Sequence, residues 1–91
     1  MSQPTIGRIV HYTLNAGDVD VIRQQRAAAG MTGANSVSVG QAYPAVIVRA
    51  WGDSPTSAVN LQVLLDGPDT YWATSRTEGE GEFYWAWPPR V

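Results

Sequence analysis

A chain of 91 residues, 44% apolar and 15% charged, is long enough for one modest core and too short for two. It has no Cys, which excludes a disulfide framework and a thiolate metal site. Its formal charge is −2 and its six basic residues are all Arg, so the diffuse positive field that polymeric nucleic acid requires is missing, while forked guanidinium groups can still grip a compact anion.

Residues 1–5 read as a loose arm ahead of a single domain spanning 1–91. "IGRIVHYTL" (6–14) reads as a strand, with Ile6, Val10, Tyr12 and Leu14 on one face and Ile9, His11 and Thr13 on the other. Asn15 is placed to cap a short helix over 16–29, with Asp18 near its positive end and Gly30 as the stop. Its apolar stripe (Val19, Ile22, Ala29) is narrow, which sets the helix over one end of a sheet.

Residues 31–44 are rich in Gly, Ser and Asn and read as a long loop. "PAVIVRAW" (44–51) reads as a strand buried on both faces, and "GDSPTS" (52–57) as a turn-rich connection. "VNLQVLLD" (59–66) alternates cleanly, with Val59, Leu61, Val63 and Leu65 inward and Asn60 and Gln62 outward. After the "DGPD" turn (66–69), "TYWATSR" (70–76) places Tyr71 and Ala73 on one face and Trp72, Thr74 and Arg76 on the other. A Gly-rich turn (77–82) leads to "FYWAW" (83–87), closed by Pro88 and Pro89, with Phe83, Trp85 and Trp87 on one face and Tyr84 opposite. Five short strands, one early helix and no βαβ alternation predict an α+β, mainly β domain: a five-stranded antiparallel curled sheet or an SH3/OB-like barrel.

Catalytic chemistry finds little support. The single His, His11, sits mid-strand, and nothing in the spacing of Ser75 or Asp66 singles them out as its partners. "GEGEF" lacks the Lys and the helix of a phosphate-cradling loop. One His and scattered carboxylates do not make a metal shell, and turn chemistry explains Asp66 and Asp69. A protein without catalysis, metal or cofactor is expected. No stretch reaches the roughly 20 apolar residues of a membrane span and no leader segment opens the chain, so a soluble, cytoplasmic protein is expected.

The aromatic residues are the remaining signal. Phe83, Trp85 and Trp87 suit a core, but each buried indole N–H wants an acceptor. A face carrying Trp72, Thr74 and Arg76 combines stacking, hydroxyl and guanidinium groups. That inventory serves a nucleobase with its phosphate, and equally a protein–protein hot spot.

"GRIVHYTL", "YPAVIVRAW", "VNLQVLLDG", "YWATS" and "WAWPPRV" together resemble a group of small phage and prophage proteins. In that group a His–Tyr pair lies in the first strand, Pro–Ala–Ile/Val–Val–Val–Arg in the middle and Trp–x–Trp–Pro at the end. The resemblance spans most of the chain, residues 16–42 excepted, and Ala86 stands where many of the group have His, so no role of that His carries over. It implies one of two roles. One is an oligomeric sponge that sequesters a small anionic nucleotide signal of bacterial immunity, without chemistry and in the host cytoplasm. The other is virion decoration or another protein contact. For the sponge, Trp72, Trp85 and Trp87 would stack bases and Arg76 or Arg8 would take phosphate. Thr74 or Ser75 would donate to phosphate or ribose, and His11 beside Tyr12 would read a base edge or phosphate. A homo-oligomer without membrane or polymeric nucleic acid is the expected setting.

Overall fold

Alternation along residues 59–65 decides which side of the sheet is core. Val59, Leu61, Val63 and Leu65 are all buried, and they meet Val10, Tyr12, Leu14, Ala45, Ile47, Tyr71, Ala73 and Trp85 in one cluster. The computed structural model describes residues 3–89. Its elements are β1 (Ile9–Thr13), α1 (Ala16–Ala28), β2 (Ala42–Ala50), β3 (Val59–Leu64), β4 (Thr70–Arg76) and β5 (Trp85–Ala86). They form one antiparallel, curled sheet in the order β4-β3-β2-β1-β5. The mainly β class, the five strands and the single helix after the first strand follow the sequence reading. No helix among the described residues is long and apolar enough to cross a membrane.

The degree of curl can be read from side chains. In a flat sheet β1 and β4 would lie three strand spacings apart, about 14 Å. Here Tyr12 of β1 and Tyr71 of β4 donate hydrogen bonds to the same carboxylate, Asp18 of α1. The opposite edges also touch: Trp85 N–H donates to Thr77 C=O (3.2 Å) and Gly79 N–H to Trp85 C=O (3.0 Å). Glycine suits this return, because a Cβ at residue 79 would lie 2.6 Å from the Tyr84 ring.

α1 starts as Asn15 and Asp18 predict. Asn15 Oδ1 accepts from Asp18 N–H (2.8 Å) and Asp18 Oδ2 from Asn15 N–H (3.0 Å), a reciprocal cap of the first turn. Asp18, Val19 and Ile22 form its buried face. At the other end Arg26 makes a two-pronged pair with Asp69 of the β3–β4 turn (2.8 and 3.1 Å) and donates to Asn35 C=O. The long 31–44 loop is tied down too. Val37 is in the core, Asn35 bonds Asp66 through backbone and side chain, and β2 begins within the expected loop, at Ala42.

Several sequence expectations are corrected. Residues 1 and 2 of the expected loose arm lie outside the described residues, and Pro4 is buried. Gly7, at φ +93°, turns the chain before β1, so Ile6 is 72% exposed and not on the inner face. β2 is buried on one face only, with Ala45 and Ile47 inward and Val48 exposed. Asn60 points outward yet is buried. Phe83 takes φ +77° instead of strand geometry, so β5 shrinks to two residues and Phe83 is 42% exposed.

Arg76 changes face, and the cause is a bulge. Between the pairs Val59↔Arg76 and Leu61↔Ala73, β4 carries one residue more than β3. Ser75 absorbs it at φ +56°, and each residue beyond flips to the other side. Arg76 therefore points inward, away from Trp72 and Thr74.

Candidate functional site

Two arginine–aromatic groups are built on opposite faces of the sheet. On the inner side Arg76 Nε donates to the Tyr12 hydroxyl (2.8 Å) and Nη2 to Asp18 Oδ1 (3.1 Å). Nη1 donates to Thr74 C=O. The Tyr12 and Tyr71 hydroxyls each donate to Asp18 at 2.6 Å. Phe83 covers the guanidinium, its ring centroid 4.0 Å from Arg76 Cζ. Asp18 is 2% exposed and the Arg76 side chain 11%. Burial, reinforced by the Asp18 hydrogen bond, raises the Tyr71 phenol from 10.0 to about 12, and the Tyr12 phenol is pushed above its ordinary range for the same reasons. Burial works against the Arg76 charge, but hydrogen bonding and charge from Tyr12 and Asp18 outweigh it and its pKa rises. Every member of this cluster has a partner, which suits a clamp joining helix to sheet.

The outer face is open. β2 also carries one residue too many, at Val48, because Ile47 pairs with Leu61 and Arg49 with Asn60. Both bulges therefore oppose Asn60, whose Oδ1 accepts from Ser75 N–H (2.8 Å) and from Trp51 Nε1 (3.2 Å). The result is a groove of about 540 Å³ between two indoles, Trp51 (54% exposed) and Trp72 (59%). Asn60 is its floor, Thr74 and Ser75 lie along one side, and Val48 and Arg49 along the other. Arg49 Cζ sits 4.2 Å from the Trp51 ring centroid, a cation–π contact that holds the guanidinium beside the groove.

A third region lies at the β1–β5 side. Trp85 is fully buried against β1, Trp87 meets it edge-to-face at 5.2 Å, and Arg8 lies over the Trp87 ring at 4.7 Å. Neither indole N–H meets an acceptor among the described residues. His11 is exposed across from Pro44 and Ala86. A groove of about 600 Å³ between Trp87 and the 77–80 segment presents Glu78 and Glu80, the wrong sign for an anion.

Family models, curated proteins and solved structures give no match to this chain. The geometry alone therefore ranks the nine residues singled out by sequence. Trp72, Thr74 and Ser75 converge on the outer groove. Tyr12 and Arg76 converge on the inner clamp, with their hydrogen bonds already engaged. Arg8, His11, Trp85 and Trp87 lie at the β1–β5 side, outside the outer groove.

Sequence reasoning missed Arg49, Trp51 and Asn60 on the outer face, and the joint role of Asp18 and Tyr71 on the inner one. Arg-x-Trp running into a Gly-Asp-Ser turn was the available signal for the first, since a Trp at a strand end beside a turn is hard to bury. Asn15-x-x-Asp18 marked the cap, but its burial under two tyrosines depends on the curl.

Proposed function

We propose that this protein is a non-catalytic binding module that sequesters a small anionic nucleotide in the outer groove. The observation that carries the reading is the pair of half-exposed indoles, Trp51 and Trp72, flanking a groove beside an outward guanidinium, Arg49. A large exposed indole gains little from water, and two of them flanking a groove offer π-faces to a planar base at about 1–3 kcal/mol per stacked base. Arg49 would take a phosphate, and Thr74 and Ser75 would donate to phosphate or ribose. Arg49 thus replaces Arg76 in the role expected from sequence. The resemblance to small phage proteins supports a bacterial immune nucleotide as the ligand, held without turnover.

A second reading has its own observation. Val48 and Leu64 are also 39% and 40% exposed on the sheet, which suits the apolar centre of a protein contact, such as virion decoration. Thermal melting against cyclic di- and trinucleotides and ADP-ribose-like signals separates the two. A native-state binder raises the melt by mass action, about 2.7 kcal/mol at a hundredfold excess over Kd, and returns the ligand intact. No shift across the panel would reject the nucleotide and leave the protein contact.

A further inference from the structure

The sheet has two edges and they are not treated alike. β5 is two residues long, is followed by Pro88 and Pro89, and meets Thr77 and Gly79 on its far side. Short length, proline and a covering segment are the usual means of blunting an edge. β4 is seven residues long. Its first five residues, "TYWAT", hold no charge, no Pro and no Gly. Among the described residues, no backbone hydrogen bond from outside the strand ladder reaches Thr70–Thr74, and of these carbonyls only that of Thr74 accepts from a side chain, Arg76. The bulge at Ser75 comes only after this stretch, and the neighbouring charges are engaged elsewhere: Asp69 on Arg26, Arg76 on Asp18.

We propose that β4 is a self-association edge, pairing antiparallel with β4 of a second copy about a two-fold axis at Trp72. The strand matches itself in this register. Trp72 faces the partner's Trp72 on the outer surface, Thr70 faces the partner's Thr74, and Tyr71 faces the partner's Ala73 on the inner side. Aromatic pairs and Thr pairs are favourable cross-strand neighbours, and with no charge in the segment no like charges meet. A second copy is the occupant that meets this pattern in full, because an isologous contact needs a strand that reads the same in both directions. A five-residue edge is small against the about 1,600 Å² of a standard interface, so the dimer is concentration-dependent.

One consequence rests on the reading of the groove as a nucleotide site. The Trp72 pair joins the two outer grooves into one strip, with Trp51 and Arg49 at each end. A ligand with two bases and two phosphates around its own two-fold axis fits such a strip better than a mononucleotide does. A ligand of that kind would strengthen the dimer.

The test is the mass of the full chain by sedimentation equilibrium over a roughly hundredfold concentration range. The expected mass rises from the 9.8 kDa of one chain toward twice that value, and Trp72→Lys, which sets two ammonium groups across the axis, stays at one chain. Because the chain has no Cys, Trp72→Cys introduces a single thiol. It is expected to cross-link to a second copy on oxidation, whereas Thr56→Cys, away from the edge, is not. A mass fixed at one chain overturns the proposal, as does a dimer indifferent to Trp72→Lys or equal cross-linking of the two Cys variants. A monomer that binds nucleotide rejects the edge and keeps the groove; a Trp72-dependent dimer that binds none does the reverse.

Discussion

The inner clamp and the outer groove use the same vocabulary, an arginine among aromatic rings, to opposite ends. Arg76 is enclosed, its charge answered by Asp18 and its donors by Tyr12 and Thr74, with Phe83 closing the top. Arg49 lies in the open beside Trp51, and the indole of Trp72 across the groove has 59% of its surface in water. What separates the two arginines is whether their partners are already supplied within the fold. A satisfied group has little left for a ligand, and an unsatisfied one on the surface costs the fold little.

Breaking the clamp should therefore have the largest effect on stability. Asp18→Asn keeps a capping side chain but leaves the Arg76 charge without its counter-ion. Removing one partner of a buried pair costs about 3–5 kcal/mol. For a domain of this size that lowers the melting temperature by about 12 °C or more. Thermal unfolding followed by circular dichroism checks it, and a drop under about 4 °C would mean that the cluster is not a clamp.

Alkali should attack the same cluster. The Tyr71 phenol ionises near 10 in the unfolded chain and near 12 in the fold. The unfolded state therefore loses its proton first as pH rises. The stabilisation from the buried phenol is complete below about pH 10 and is lost between 10 and 12, about 3 kcal/mol for Tyr71 alone. Tyr12 adds to this in the same direction. Urea midpoints measured at rising pH, with phenolate absorbance alongside, should show the decline setting in near pH 10 and, because the Tyr12 phenol is raised further than that of Tyr71, continuing beyond 12.

The groove should respond in the reverse sense. Trp72→Ala is expected to leave stability within about 0.5 kcal/mol of the parent. It should weaken nucleotide binding by about 1–3 kcal/mol, roughly 5- to 150-fold in Kd by titration calorimetry. Loss of stability without loss of affinity would move Trp72 from the recognition face to the scaffold.

The smallest effect belongs to the Arg26–Asp69 pair, part-buried between the end of α1 and the β3–β4 turn. Arg26 holds the Asp69 carboxyl below its ordinary 3.8, so the pair's contribution is complete above that value and fades as pH falls through the lowered one. Asp69→Asn should cost about 1 kcal/mol at neutral pH and nothing in strong acid. Denaturant midpoints at the two pH values compare these directly.

Sequence patterning carried the reading as far as alternation holds. Residues 59–63 alternate without interruption, and the inward Val59, Leu61, Val63 and Leu65 are buried as that pattern predicts. Arg76 was assigned the wrong face because one extra residue at Ser75 reverses everything after it, and a serine in left-handed geometry has no signature in composition. Phe83 failed for the same kind of reason, at φ +77°. The floor of the groove was illegible because Asn60 acquires its role only when two bulges, on separate strands, face it from both sides. The outward placing of Trp72 and Thr74 was legible because an exposed strand side is local information, whereas Ser75 reaches the groove only through the bulge. Arg49 and Trp51 were not, because the apolar run before them reads as buried on both faces.

Heteronuclear correlation spectra of the four tryptophan indole N–H groups during a cyclic-dinucleotide titration address the outer groove most directly. The Trp51 and Trp72 signals should move together and saturate, while Trp85, sealed in the core, stays in place. Shifts confined to Trp85 and Trp87, or none at all, would contradict the assignment of the outer groove as the recognition site.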